Sequence, residues 1–201
     1  MDWTPELRDR VRRNLSSFQR NQSVSTGNRA AVAIVLLNGP EGEASLPLLL
    51  RAPSLRRHAG QMGLPGGRLE EAEEASVAVL RELREELGIV AGFESILGSL
   101  DDFETRSGFV IMPFVLWSEV RRRALRPAVA EIARLYIPTL QELKAAVAVA
   151  SPGASEAFSL GFRWGEVYAP TAAILYQFSE VALSGRPCRV ADFYQPPFTW
   201  R

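Results

Sequence analysis

Glu82, Glu85 and Glu86 lie close together in the stretch Gly66 to Ile89, GGRLEEAEEASVAVLRELREELGI, which reads as a tight glycine turn followed by a helix. At 3.6 residues per turn their side chains fall within an arc of about 100°. Glu82 and Glu86 form a like-charged i,i+4 pair, a cost of roughly 0.2–0.5 kcal/mol in an isolated helix, and more where the arc is desolvated. Desolvation is expected, because Val79, Leu83 and Leu87, with Leu80 beside them, form an apolar stripe facing a core. A cation among the carboxylates removes the conflict. The spacing alone also allows a solvated acidic face with Arg81 and Arg84 as counter-charges. Glu70, Glu71, Glu73 and Glu74 are expected on the same helix.

The order of residues narrows these alternatives. Gly67, Glu73, Arg81-Glu82-Leu83, Glu85-Glu86 and Gly88-Ile89 resemble the Nudix hydrolase box at all nine of its specified positions. The resemblance implies an α/β/α sandwich around a mixed sheet and hydrolysis of a nucleoside diphosphate linked to another moiety. Magnesium or manganese suits a site of oxygen ligands and retains waters. Glu82 and Glu86 would share one ion, Glu85 the same or a neighbouring one, and the Gly66 turn could add a backbone carbonyl. Arg81 is expected to orient a glutamate, with Glu73 as its partner. The family's general base varies, and here it is either Glu82 or Glu131. Glu131 matches an acidic residue that many members place just before a strand and outside the box.

A second informative stretch, Leu55 to Gly66, LRRHAGQMGLPG, sets Arg56, Arg57 and His58 among glycines. Such a loop lets backbone approach a ligand, and arginines suit phosphate groups. His58 is the chain's only histidine, so a histidine-rich metal site is unavailable. From Leu48 to Gly67 this region resembles the additional signature of the coenzyme A pyrophosphatase branch. Leu49 departs from that branch's usual Thr, and Leu64 from its usual Phe. The later stretch Thr105 to Pro113 also resembles the branch. These likenesses imply coenzyme A as substrate, with 4′-phosphopantetheine and adenosine 3′,5′-bisphosphate as products. Arg51, Arg56, Arg57, His58 and Gln61 are the substrate-binding candidates. An ADP-ribose or nucleotide-sugar pyrophosphatase is the alternative, and a non-catalytic nucleotide-binding module of the same fold is a third reading.

The elements that must position these groups follow from periodicity and turn chemistry. Thr4 to Arg20 reads as a helix with Pro5 in its first turn. Asn21 to Asn28 reads as a loop, and Ala30 to Leu37 as a buried strand. A turn at Asn38 to Gly42 leads to a strand from Leu46 to Arg51, the two strands forming a hairpin. After the box, Phe93 to Phe103 and Phe109 to Trp117 read as strands joined by Glu104 to Gly108. Thr139-Leu140-Gln141-Glu142 is a capping box that opens a helix through Val149. Ser151 to Ser155 is a small-residue linker, Phe162 to Tyr168 a strand, and Pro170 to Leu183 a closing helix. The aromatics of the tail, Phe193, Tyr194, Phe198 and Trp200, are assigned to a core edge or subunit contact in preference to a base-stacking role.

Bulk properties suit a small-molecule enzyme. The 201 residues read as one domain, 1–201, comprising an N-terminal helix and loop (1–28), the loop-helix (66–89) and C-terminal helices and tail (139–201). Lys+Arg and Asp+Glu each total 23, so no global field attracts nucleic acid or an anionic membrane. Arg121-Arg122-Arg123 reads as a solvated loop near an anionic substrate. Cys188 is the only cysteine, and neither a signal-peptide core nor a membrane-length apolar run is present, so cytosol is the expected compartment. A small nucleotide is the expected partner, with homodimerisation possible.

Overall fold

The computed structural model describes residues 1–54, 59–150 and 157–200. Its centre is β1 (Asn28–Asn38), buried on both faces because its run is apolar at every position from Ala30 to Leu37. The odd residues Ala31, Ala33, Val35 and Leu37 face one core, while Ile34 and Leu36 face a second. Two-sided burial is what turns an alternating strand into a continuous apolar run.

The remaining elements follow in chain order. Helix α1 (Pro5–Ser17) precedes β1, and β2 (Ala44–Ser45), β3 (Leu48–Arg51), β4 (Met62–Gly63) and β5 (Gly66–Arg68) follow it. Next come α2 (Ala75–Leu87), β6 (Ile96–Ser99), β7 (Phe103–Glu104) and β8 (Phe109–Arg121). The chain continues with β9 (Ile132–Tyr136), α3 (Leu140–Val149), β10 (Ser159–Phe162), β11 (Gly165–Tyr168) and α4 (Thr171–Gln177). The larger sheet has the order β2-β1-β8-β6, with β5 also on β1 and β7 also on β8. β1 and β8 run parallel and the other pairs antiparallel, so the sheet is mixed. A second sheet, β4-β3-β9, is antiparallel. On the larger sheet, α2 covers the Ala31–Leu37 side, and α1 with α4 covers the other. This is the α/β/α sandwich that the resemblance implies.

Three departures from the sequence reading reshape the neighbourhood of the glutamates. The hairpin partner of β1 is Ala44–Ser45, whereas Leu48–Arg51 crosses to the second sheet and pairs with β4 and β9. Pro47 has no N–H to continue a ladder, and the Leu46 N–H bonds to the Pro138 carbonyl, so the chain changes sheets there. Gly66–Arg68 is a strand on β1, not part of a turn. The helix begins only at Ala75, so Glu70, Glu71, Glu73 and Glu74 lie ahead of it. Glu74 is the N-cap residue but makes no side-chain capping bond.

Elsewhere the differences are smaller. The first helix stops at Ser17 with Thr4 capping it, and Leu7, Val11 and Leu15 form its buried stripe. The Phe93–Phe103 segment divides into a 3₁₀ turn, β6 and β7. Phe162–Tyr168 belongs to a hairpin, β10–β11. The capping box at Thr139 is formed as expected. α4 continues through a wider π-helical stretch, Phe178–Leu183. The proposed linker lies outside the described residues. Among the described residues no helix is long and apolar enough to cross a membrane.

Candidate functional site

Helix α2 puts Ala78, Val79, Leu83 and Leu87 into the core beneath β1 and stops at Gly88, whose φ of 69° is in the left-handed region. A glycine at that position ends a helix without a Cβ penalty. Anchoring the apolar stripe decides where the glutamates point. Glu86 is drawn almost completely inside, at 2% exposure, Glu82 is partly covered, and the Glu85 side chain remains 55% exposed.

Two glycines of β5 make room for this. At Gly66, with φ 145°, a Cβ would stand 2.2 Å from the Ala31 carbonyl oxygen. At Gly67 a Cβ would stand 2.1 Å from Glu82 Oε1. The first glycine therefore allows the strand to lie against β1, and the second leaves a cradle for a carboxylate. Gly66 N–H also donates to Glu86 Oε2 at 2.8 Å.

Arg81 is the hub of the cluster. Its Nε and Nη2 donate to the two oxygens of Glu73 at 2.9 and 3.0 Å, a bidentate fork. Its Nη1 donates to Glu82 Oε1 at 2.8 Å and to Glu85 Oε2 at 3.1 Å, and Nη2 also reaches the Arg68 carbonyl. This guanidinium fork holds Glu73 below the usual carboxylate range. The expected Arg81–Glu73 pairing is therefore present, and Glu85 is turned toward the same arginine.

Burial dominates the electrostatics at the other two carboxylates. Desolvation pushes Glu86 up to about 8, against the Gly66 N–H and Arg51, with the charges of Glu82 and Glu131 adding to the rise. Glu82 is raised by the same cause, more weakly, because Arg81 opposes it. Glu131 thus acts electrostatically on both; it is exposed and directly precedes β9, as expected for the acidic residue outside the box. Its carbonyl accepts from Ala52 N–H, which ties it to the end of β3.

Arg51 closes the cluster from β3. Its Nη1 is 3.7 Å from Glu86 Oε1, and its Nε is buried with no hydrogen-bond partner among the described residues. A buried donor without a partner requires an explanation. Arg51 also lines a cavity of about 680 Å³ that touches Gly66, Gly67 and Gln61. Arg68, stacked over the Phe109 ring, lines the same cavity. Gln61 is tied to the tail, donating to the Phe198 carbonyl at 2.9 Å. Arg56, Arg57 and His58 lie outside the described residues.

The cluster has the donor chemistry of a divalent-cation site. Glu82 and Glu86 supply oxygens around a glycine cradle, and a buried Glu86 carboxylate requires a positive neighbour to remain ionised. Among the described residues no set of three or more acidic, histidine or cysteine side chains is already arranged as a cage. Few protein ligands with retained waters is the pattern that magnesium adopts.

Sequence reasoning missed the far wall. Tyr168 and Phe198 meet edge to face, with centroids 4.8 Å apart, and both line the cavity together with Thr171 and Gln195. Gln195 is fixed in place, donating to the Glu104 carbonyl and accepting from Arg106 N–H. Of the tail aromatics, Phe193 packs against the core beside Phe158 and Tyr176, while the Trp200 side chain lies outside the described residues. Tyr194 lies beneath Arg106, and Phe198 borders the cavity. Arg121-Arg122-Arg123 does not line the cavity that Arg51 borders: it lines another at the Asn38 end of β1, whereas the Arg51 cavity meets Ala30 and Val32.

Comparison with known proteins bears on the family and the fold. An uncharacterized Nudix hydrolase, NudL, of Yersinia pestis (strain Pestoides F) is 38% identical over 92 residues, 45% of each chain. The chain therefore matches less than half the length of that curated relative. A MutT/nudix family protein from Enterococcus faecalis aligns with TM-score 0.51 at 16% identity, covering 84% of this chain and 64% of that one. The Nudix hydrolase RenU from M. smegmatis aligns with TM-score 0.50 at 16% identity, covering 81% and 89%. At such identities these two structures speak to the fold alone. The NUDIX domain profile matches residues 27–153, more than half of the 201 residues, and so the chain belongs to the Nudix family.

Proposed function

We propose that this protein hydrolyses the diphosphate bond of a nucleoside diphosphate linked to another moiety, using magnesium or manganese. The observation that carries the reading is the buried Glu86 beside Glu82, linked through Arg51 and the Gly66 N–H to residues that line the cavity. Glu82 and Glu86 would hold the metal, with Glu85 and the Gly66 carbonyl as further ligands. When bound, the ion would neutralise the diphosphate oxygens and lower the pKa of an attacking water. Arg81, anchored by Glu73, positions Glu82 and Glu85. Glu82 or Glu131 takes the proton from the attacking water. Arg51 and Gln61, which line the cavity, would bind the substrate phosphates, and Arg56, Arg57 and His58 are further substrate-binding candidates from the sequence alone. Tyr168 and Phe198 supply an apolar wall for the moiety away from the metal. Because residues 157–199 complete that cavity, we read the chain as one functional unit.

Coenzyme A is the proposed substrate, on the strength of the sequence from Leu48 to Gly67. A panel of coenzyme A, ADP-ribose, NADH and dinucleoside polyphosphates, each with Mg²⁺ or Mn²⁺, tests it. Release of 4′-phosphopantetheine at the highest kcat/KM is expected. Preference for ADP-ribose would overturn the substrate and leave the reaction intact, whereas metal-independent binding without product would overturn the reaction. Glu86→Gln should lower kcat at least 100-fold, about 2.7 kcal/mol of barrier.

A further inference from the structure

The second cavity, about 700 Å³, lies where β8 ends, and Arg121, Arg122 and Arg123 all contribute to its lining. The three side chains form no hydrogen bond or ion pair with any described residue, whereas Arg20, Arg51, Arg81, Arg186 and Arg189 are each paired with a carboxylate. Two carboxylates and a further arginine of the same region make other contacts. Glu43 accepts from Glu41 N–H, and Glu119 accepts from Trp117 Nε1. Arg126 turns back to donate to the Leu125 and Arg123 carbonyls. Apart from Asn38, the rest of the lining carries no polar side chain, and Leu125, Leu135 and Ile137 are part of it.

Three unpaired arginines lining a largely apolar cavity match one kind of ligand, a phosphate dianion carried on an apolar body. The planar fork pairs with phosphate oxygens, and a chain with no net charge offers no general field to explain the cluster. We infer that Arg121, Arg122 and Arg123 form a binding site for an organic phosphate monoester, separate from the cavity that Arg51 lines. The segment that carries it is bonded directly to the end of α2. Arg126 N–H donates to the Leu87 carbonyl, and Ala128 N–H to the Glu86 carbonyl. A ligand in this cavity therefore touches the segment that supports Glu86.

The test is a titration of the metal-free full chain with phenyl phosphate, followed by amide NMR. Saturable shifts at Leu125, Leu135 and Ile137 are expected, with a Kd on the order of 10⁻⁴ M. R122A/R123A, which alters exposed side chains only, should weaken binding at least tenfold. Benzoate, with the same ring and a single charge, should bind at least tenfold more weakly to the unaltered chain. Shifts confined to Gly66, Ile111 and Tyr168, equal affinity in the variant, or benzoate binding as tightly as phenyl phosphate would each overturn the inference. None of these readouts depends on hydrolysis.

Discussion

Replacing Glu86 with Gln should abolish most of the pH dependence of stability that this protein shows in EDTA. The carboxyl titrates near 8 in the folded chain against 4.5 for the unperturbed group, chiefly because it is buried. Between those values the folded state holds a proton that the unfolded chain has released. Stability is therefore fully present below about pH 4.5 and is lost as pH rises toward 8. Over that span the loss reaches about 3–5 kcal/mol at 1.36 kcal/mol per unit. The raised Glu82 adds in the same direction, whereas the lowered Glu73 contributes stability that disappears only in acid. The assay is urea unfolding at pH 5, 6, 7 and 8 with EDTA, read as a change in midpoint at constant m. Heat unfolding should move by roughly 2–4 °C per kcal/mol for a chain of this size. Glu86→Gln keeps an oxygen for the Gly66 N–H and has no charge to bury, so its curve should be nearly flat. Saturating Mg²⁺ should restore the unaltered protein at pH 8, by about 2.7 kcal/mol at 100 times Kd, and leave the variant unmoved. A flat or rising profile for the unaltered protein in EDTA, or the same slope in Glu86→Gln, would refute the account of a carboxylate whose burial outweighs its ion pair with Arg51.

Other perturbations separate neighbouring roles. Gly66→Ala drives a Cβ into the Ala31 backbone at positive φ, so it should lower stability by about 2–4 kcal/mol in urea unfolding. Gly67→Ala meets only the tip of Glu82, so it should unfold within about 1 kcal/mol of the parent yet lose at least tenfold in Mg²⁺-dependent kcat. Arg81→Lys keeps the charge and removes the fork to Glu73. It should cost about 1–3 kcal/mol of stability and more than tenfold in kcat, measured by urea unfolding and steady-state kinetics. Phe198→Ala, at the cavity wall, should raise KM several-fold with little change in kcat, as expected where binding is uniform between ground and transition states.

Local sequence determined the parts governed by local physics. The four-residue recurrence of Val79, Leu83 and Leu87 fixed which side of α2 is buried, and thereby turned Glu82 and Glu86 inward together. The unbroken apolar run of β1 required a layer on each side, and Thr139 with Glu142 wrote a helix start into four residues. Arg81 and Glu73 could be paired before any coordinates, through the resemblance of their stretch to the box. What required the tertiary structure was everything set by distant partners. Leu48–Arg51 has the composition of a hairpin strand, and only the competition among β1, β4 and β9 sends it to the second sheet. Glu85 and Glu86 are adjacent and chemically identical, yet one is exposed and the other buried, because depth depends on what packs above the helix. Phe198 and Tyr168 are 30 residues apart with no periodicity linking them, so no pattern announces the wall they share. Burial and long-range pairing are cooperative properties of the whole chain, and these decided the raised pKa of Glu86 and the shape of the cavity that Arg51 and Phe198 line.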